Sequence, residues 1–163
     1  MLTQAELKSK LHYCHDTGIF TWIAPSKYNP CLKGTSFRKK DLEGYIRIRI
    51  NTISYKAHRL AWLYVHGKFP NEQIDHINGI TDDNRLCNLR EATQYENMKN
   101  RNKFSNNKSG FKGVSFDSYA KKWRARAGLN GRSYSLGMFL TPEEASQAYK
   151  AFALKHHGEF IRI

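Results

Sequence analysis

The sequence predicts an α+β protein in which small antiparallel sheets are each followed along the chain by a helix. Three observations predict it. Short stretches alternate apolar and polar residues with period two, most plainly Gly44-Tyr45-Ile46-Arg47-Ile48-Arg49-Ile50, as strands with one inward face do. Turn residues bound these stretches, Asn51-Thr52 and Asn130-Gly131 among them, and reverse the chain into hairpins. Threonine–glutamate pairs three residues apart, Thr93 with Glu96 and Thr141 with Glu144, follow the strands and start helices, because side chain and backbone cap each other reciprocally there.

Composition narrows the partners. The 163 residues suffice for one ordinary domain or two small ones, and an apolar content of 40% supports real cores. A formal charge of +13 is large for this length and calls for a polyanion, nucleic acid above all. An anionic membrane fits poorly, for want of an amphipathic basic helix or a long apolar run. The charge is uneven. Between Lys99 and Arg132 there are ten Lys or Arg against one acid, Asp117, whereas Glu72 to Glu96 holds six acids against Arg85 and Arg90. A basic surface beside a locally acidic site is what metal-dependent chemistry on DNA requires. Cys14, Cys31 and Cys87 are odd in number and lack metal spacing, which reads as reduced thiols in a cytosolic protein. No basic-then-apolar signal segment suggests export.

Residues 1–57 read as a strand and hairpin region that contacts DNA. Thr3 to Glu6 caps a brief helix bearing Leu2, Leu7 and Leu11 on one face. His12-Tyr13-Cys14-His15 reads as a turn with a buried thiol rather than a zinc site. Asp16-Thr17-Gly18 turns into a strand, Ile19 to Ile23, with Phe20 and Trp22 inward, and residues 24–42 form a loop. In the following hairpin Ile46, Ile48 and Ile50 share one face, and Tyr45, Arg47 and Arg49 the other. Arg47 and Arg49 are candidates for a DNA groove. A helix from His58 to His66 follows, ended by Gly67 and Pro70, with Leu60, Leu63 and Tyr64 buried. His58 and His66 read as structural. Arg59 reads equally as a phosphate contact and as a structural salt bridge.

Residues 74–100, IDHINGITDDNRLCNLREATQYENMKN, read as strand, loop, strand (Leu86 to Ala92) and helix. One histidine lies there among acids and amides. A neutral histidine takes a proton from water near neutral pH. A carboxylate and an amide oxygen suit Mg²⁺, which keeps several waters, polarises a phosphate and stabilises a departing oxygen. Asp75-His76, Asn88 and Asn97, in this order and spacing, resemble the HNH endonucleases, the ββα-metal nucleases, and in particular their phage and intron-encoded homing branch. The Ala-His-Arg-Leu-Ala-Trp run at residues 57–62 is similar to that branch as well. The resemblance implies His76 as general base, Asp75 and Asn97 as ligands of one divalent cation, Mg²⁺ or Mn²⁺, and Asn88 as the pin for the loop and strand that orient His76. Asn97 stands where the family's last histidine usually is. The resemblance also implies a phage-encoded protein at work in the cytoplasm of a bacterial host.

Residues 101–109 are polar and basic and read as a linker, with Arg101 facing DNA. Residues 110–163 read as a complete unit: strands at Phe111 to Phe116, Lys122 to Leu129 and Ser133 to Phe139, then a helix with Ala145, Ala148, Tyr149 and Phe152 in one stripe, ended by Gly158. Gly113-Val114, Trp123 with Ala125, Leu136-Gly137 with Phe139, and Thr141 to Ala145 with Ala148-Tyr149 resemble the plant ethylene-response-factor type DNA-binding domain. That family reads DNA through a three-stranded sheet packed on one helix. The resemblance implies Lys112, Arg124, Arg126, Arg132 and Tyr134 as contacts.

The expected whole is a DNA-contacting region (1–57), a ββα-metal nuclease core (58–100), the linker and the sheet domain. Acting as a monomer on double-stranded DNA, it would cut at a specific site, nicking one strand to leave a 5′-phosphate and a 3′-hydroxyl. A non-catalytic DNA-binding regulator and a non-specific HNH nuclease remain the alternatives.

Overall fold

The computed structural model describes residues 1–24, 33–100 and 107–157. Cys31, Arg101, Gly158 and parts of the expected 24–42 loop and 101–109 linker therefore lie outside the described residues. The chain divides into two compact units, Met1–Asn97 and Met98–Ile163.

The first unit opens with α1 (Gln4–Lys10), whose N-cap Thr3 accepts a hydrogen bond from the Glu6 backbone N–H, satisfying a donor the first turn leaves unpaired. Leu11 does not extend the helix, as the sequence suggested, but begins β1 (Leu11–Cys14), which pairs antiparallel with β2 (Ile19–Trp22). The expected turn at His12 to Cys14 is thus a strand: alternation buries Leu11 and Tyr13 and leaves Cys14 half-exposed. β3 (Arg47–Ile50) and β4 (Ile53–Lys56) form the next hairpin. Asn51 and Thr52, at φ 47° and 70°, make the two-residue turn whose twist suits a hairpin. Ile48 and Ile50 are buried while Arg47 and Arg49 are exposed. α2 (Ala57–His66) leaves β4 directly and stops at Gly67, whose left-handed φ of 77° lets its N–H reach the Leu63 carbonyl.

β5 (Gln73–His76) and β6 (Leu89–Ala92) pair antiparallel, and α3 (Gln94–Asn100) follows. The return strand is shorter than the sequence suggested, because Leu86–Asn88 close into a 3₁₀ turn in which the Asn88 N–H donates to the Arg85 carbonyl. Thr93 and Glu96 form the expected reciprocal cap, with Thr93 N–H to Glu96 Oε2 at 2.9 Å and Glu96 N–H to Thr93 Oγ1 at 3.3 Å. Residues from both the expected DNA-contacting region and the expected nuclease core, including Leu7, Phe20, Ile48, Leu60, Ile74 and Leu89, share one hydrophobic core.

The second unit is a three-stranded antiparallel sheet, β7 (Val114–Asp117), β8 (Lys122–Leu129) and β9 (Arg132–Phe139), with α4 (Pro142–His157) on one face. Residues 107–109 belong to it rather than to a linker, since Ser109 Oγ donates toward the Phe111 and Val114 carbonyls and Asn107 Nδ2 toward Phe111. Ala125 and Ala127 are buried with Val114, Ala145, Tyr149 and Ala153, so β8 turns its alanines to α4 and Lys122, Arg124 and Arg126 to the open face. Tyr134 is opposite Ala127, and its ring lies 5.5 Å from that of Phe152. It therefore packs on the helix side instead of joining the open face as a DNA contact. No described helix is long and apolar enough to cross a membrane.

Gly113 fixes the seating of α4. At φ +72° it lies where L residues are strained, and a Cβ there would come within 2.2 Å of Tyr149 Cδ2 and 2.7 Å of the Arg126 carbonyl. Gly113→Ala should therefore destabilise the second unit by about 2 kcal/mol or more, and chemical denaturation followed by the Trp123 fluorescence measures it.

Candidate active site

Strand geometry sorts the residues around the β5–β6 pair. Side chains two apart share a face, so Gln73 and Asp75 lie on one side of β5, and Ile74 and His76 on the other. Asp75 stands opposite Arg90 in the register. Its carboxylate is 4% exposed, and Oδ2 accepts from Arg90 Nε at 2.9 Å and Nη2 at 2.8 Å. A carboxylate this deep needs such charge-assisted bonds, because removing one partner of a buried pair costs several kcal/mol. Nothing in the sequence singles out Arg90, since only the strand register makes it the neighbour of Asp75.

Asn97 stands in the first turn of α3, where its N–H donates to the Thr93 carbonyl. Its Nδ2 donates to Gln73 Oε1 at 2.7 Å. Gln73 lies on the Asp75 face, so this bond holds the helix amide beside that same face. Carboxylate and amide oxygens are hard donors, and two of them plus water are the sparse set Mg²⁺ or Mn²⁺ accepts. Among the described residues no three His, Cys, Asp or Glu side chains cluster to hold a metal, so a cation here would rest on Asp75, Asn97 and water. The donor chemistry fits, with Arg90 already engaging one carboxylate oxygen.

His76 occupies the other face. It is 4% exposed, with its ring 5.0 Å from His58, near perpendicular, and 5.9 Å from Tyr45. Burial holds its pKa below the ordinary histidine value, which favours the neutral ring near neutral pH. His58, read from the sequence as structural, is buried against the candidate site. Burial first, then the charges of His76, Lys56 and Arg59, push it down to about 3, and its Nδ1 has no hydrogen-bond partner among the described residues. Asn97 is thus tied to the Asp75 face of β5 through Gln73, while His76 adjoins Asp75 only through its place next to it in the chain.

The loop between β5 and β6 is tied internally. Asn88 is buried; its Oδ1 accepts from the Asn78 N–H at 2.9 Å and its Nδ2 donates to the Asp83 carbonyl at 2.8 Å. Its own carbonyl accepts from Ile77. Asp83 binds Arg85 at 2.6 Å and Asn78 at 2.7 Å; these bonds, that of Arg85 first, draw its pKa down to about 2. Asn84, in the same turn-rich run, is 1% exposed, with Oδ1 3.5 Å from His76 Nε2. Its composition reads as loop, and the tertiary contact that buries it leaves no local signal.

The candidate DNA contacts differ in how they are held. Arg47 binds Asp41 at 2.6 Å, and Arg49 is exposed opposite Ser54. Arg59 donates to the Pro70 and Glu72 backbone carbonyls at 3.4 Å each and lies over Phe69. In the second unit Lys112 donates to the Lys99 carbonyl and Arg124 binds Asp117, while Arg126 and Arg132 are exposed. Arg101 lies outside the described residues.

The segment that carries these residues is similar to known proteins. A family model described as HNH endonuclease matches residues 55–99. An "Uncharacterized HNH endonuclease L560" of Acanthamoeba polyphaga mimivirus is 33% identical over 107 residues, which cover 64% of this chain and 54% of that protein. "Protein 3.8" of Escherichia phage T7 is 31% identical over 113 residues, covering 67% of this chain and 93% of that protein. The match thus spans about half of the mimivirus protein and nearly all of the phage one. No solved structure matches the chain.

The buried neutral His58 has a consequence for stability. The unfolded chain takes up a proton below the ordinary value of 6.5 that the folded chain refuses until about 3. Stability should therefore fall as pH drops through that window, by at most about 1.4 kcal/mol per pH unit from this group. Urea unfolding between pH 7 and pH 4 should show a shallower pH slope for His58→Phe than for the native protein; equal slopes would contradict the burial of a neutral imidazole.

Proposed function

From the premise that the chain belongs to the family of phage T7 protein 3.8 and carries an HNH endonuclease domain, we propose that it is a metal-dependent, site-specific DNA endonuclease of the homing type. The observation that carries this reading is the juxtaposition along β5 and α3. Gln73 ties the Asn97 amide to the Asp75 face of β5, and the residue after Asp75 is a histidine whose burial favours the neutral ring. In this reading His76 takes a proton from water as that water attacks phosphorus in line, and Asn88 steadies the loop behind His76. The water oxygen bonds to phosphorus, the bond to the 3′ oxygen breaks, and solvent returns a proton to that oxygen. The ends left are a 5′-phosphate and a 3′-hydroxyl. Asp75 and Asn97 would hold one Mg²⁺ or Mn²⁺, which supplies charge neutralisation at the phosphate and the departing oxygen. Arg90 fixes the rotamer of the Asp75 carboxylate. One site per chain favours a monomer that nicks one strand.

The second unit supports a specific target. Its open face carries Lys122, Arg124 and Arg126 on one strand, and a β-ribbon of that width enters the major groove. This is the arrangement implied by the resemblance to the ethylene-response-factor domain. Arg47, Arg49 and Arg132 add positive charge for the phosphate backbone. Two observations favour a non-catalytic DNA-binding regulator instead: Asp75 is engaged by Arg90, and His76 is almost closed from solvent.

Two measurements follow. Purified protein with Mg²⁺ or Mn²⁺ should convert supercoiled DNA bearing its site to open circles, and His76→Ala or Asn97→Ala should slow this by about a hundredfold or more. Intact DNA at saturating protein would favour the regulator, and scattered cuts a non-specific nuclease. Arg126→Glu should weaken DNA binding and lower its salt dependence by about one to two phosphate contacts, with the cleavage rate at saturating DNA unchanged.

A further inference from the structure

Asn84 is the most buried polar side chain of the first unit and has no part in the mechanism above. It is held from several sides. Its backbone N–H and its Nδ2 both donate to the Asp82 carbonyl at 3.1 Å. The Tyr13 hydroxyl, itself buried on β1, donates to the Asn84 carbonyl at 2.7 Å. The turn between β1 and β2 rests on the same peptide: a Cβ on Gly18 would lie 2.5 Å from the Asn84 carbonyl carbon and 2.4 Å from the Arg85 nitrogen. Only glycine allows so close a backbone approach, and its φ of +68° suits glycine as well.

These contacts decide which amide atom faces His76. With Nδ2 committed to a carbonyl, Oδ1 is the atom at 3.5 Å from Nε2, and an oxygen there can only accept. A neutral imidazole that donates from Nε2 has its lone pair on Nδ1.

We propose that Asn84 is a positioning residue for His76, selecting the Nε2–H tautomer so that Nδ1 is the proton acceptor, and that the N-terminal β1–β2 hairpin holds Asn84 in place through Tyr13 and Gly18. This rests on the nuclease reading only for its catalytic consequence. Fixing a tautomer through an outer hydrogen bond is the kind of support that catalytic imidazoles need, since a ring free to flip offers the wrong nitrogen part of the time. It also gives the hairpin, which carries no candidate catalytic group, a role in the chemistry.

The test uses the full chain with ¹⁵N-labelled histidine at a pH where His76 is neutral. Ring nitrogen shifts report the tautomer, with His76→Gln supplying the assignment. The native ring should be Nε2–H. Asn84→Leu should lose that preference and lower kcat for DNA nicking about tenfold to a hundredfold, leaving DNA Kd nearly unchanged. Asn84→Asp, which keeps an oxygen facing Nε2, should retain the tautomer, and Tyr13→Phe should lower kcat a few-fold with the protein folded. An Nδ1–H ring in the native protein overturns the proposal, as does a folded Asn84→Leu with native tautomer and native kcat. Should Asn84→Leu fail to fold, the native and Asn84→Asp spectra decide. A native protein that cuts no DNA sinks the nuclease reading alone, because the ring spectrum is read without substrate.

Discussion

Two polar side chains in succession, Asp75 and His76, are buried on a four-residue strand. Water cannot solvate them there, so the protein has to supply a partner for each, on opposite faces of the ribbon. Arg90 answers Asp75 from the paired strand, and Asn84 faces His76 from the loop. Much of the first unit follows from these two requirements. The loop must fold back on itself to present Asn84, which needs Asn88 and Asp83 to tie it. The β1–β2 hairpin must lie against it, which needs glycine at position 18 and a tyrosine hydroxyl within reach. Desolvation then has a chemical result, because it favours the neutral form of the His76 ring.

The shared core explains why the N-terminal region and the nuclease motif form one unit. Leu7 and Phe20 pack with Leu60, Ile74 and Leu89, so the strand that bears Asp75 has its apolar side sealed by residues from far earlier in the chain. The second unit needs no such support. Its sheet and helix bury small alanines against Tyr149, and the other sheet face is left to charge. The charge divides unevenly between the units, with ten of the fourteen acids in the first and most of the basic excess in the second.

Local rules carried the sequence reading a long way. Both capping boxes, the Asn51-Thr52 and Asn130-Gly131 turns and the alternation of β3 and β8 are set by neighbours in the chain, and each stands where the residues predict. Errors arose where a distant partner decides. Leu11 joined a helix on pattern alone, yet pairing with Trp22 makes it the start of a strand. Leu86–Asn88 looked like strand, but the bonds of Asn88 across the loop curl it into a turn. Likeness puts Tyr134 among the DNA contacts, and the register of β9 turns it toward Phe152. Candidate residues with unusual chemistry at short spacing, Asp75, His76, Asn88 and Asn97, could be named from the sequence. Their supports, Gln73, Asn84, Arg90 and His58, could not, because what marks them is burial and register.

A divalent cation on Asp75 and Asn97, with His76 the next residue of β5, is the central claim of the proposed endonuclease. Paramagnetic line broadening by Mn²⁺ tests this most directly, without DNA and without turnover. Sub-stoichiometric Mn²⁺ should selectively broaden the Asn97 side-chain amide, the Gln73 amide that binds it and the His76 ring signals, and Asp75→Ala should abolish the effect. Broadening centred elsewhere, or the same broadening persisting in Asp75→Ala, would contradict it.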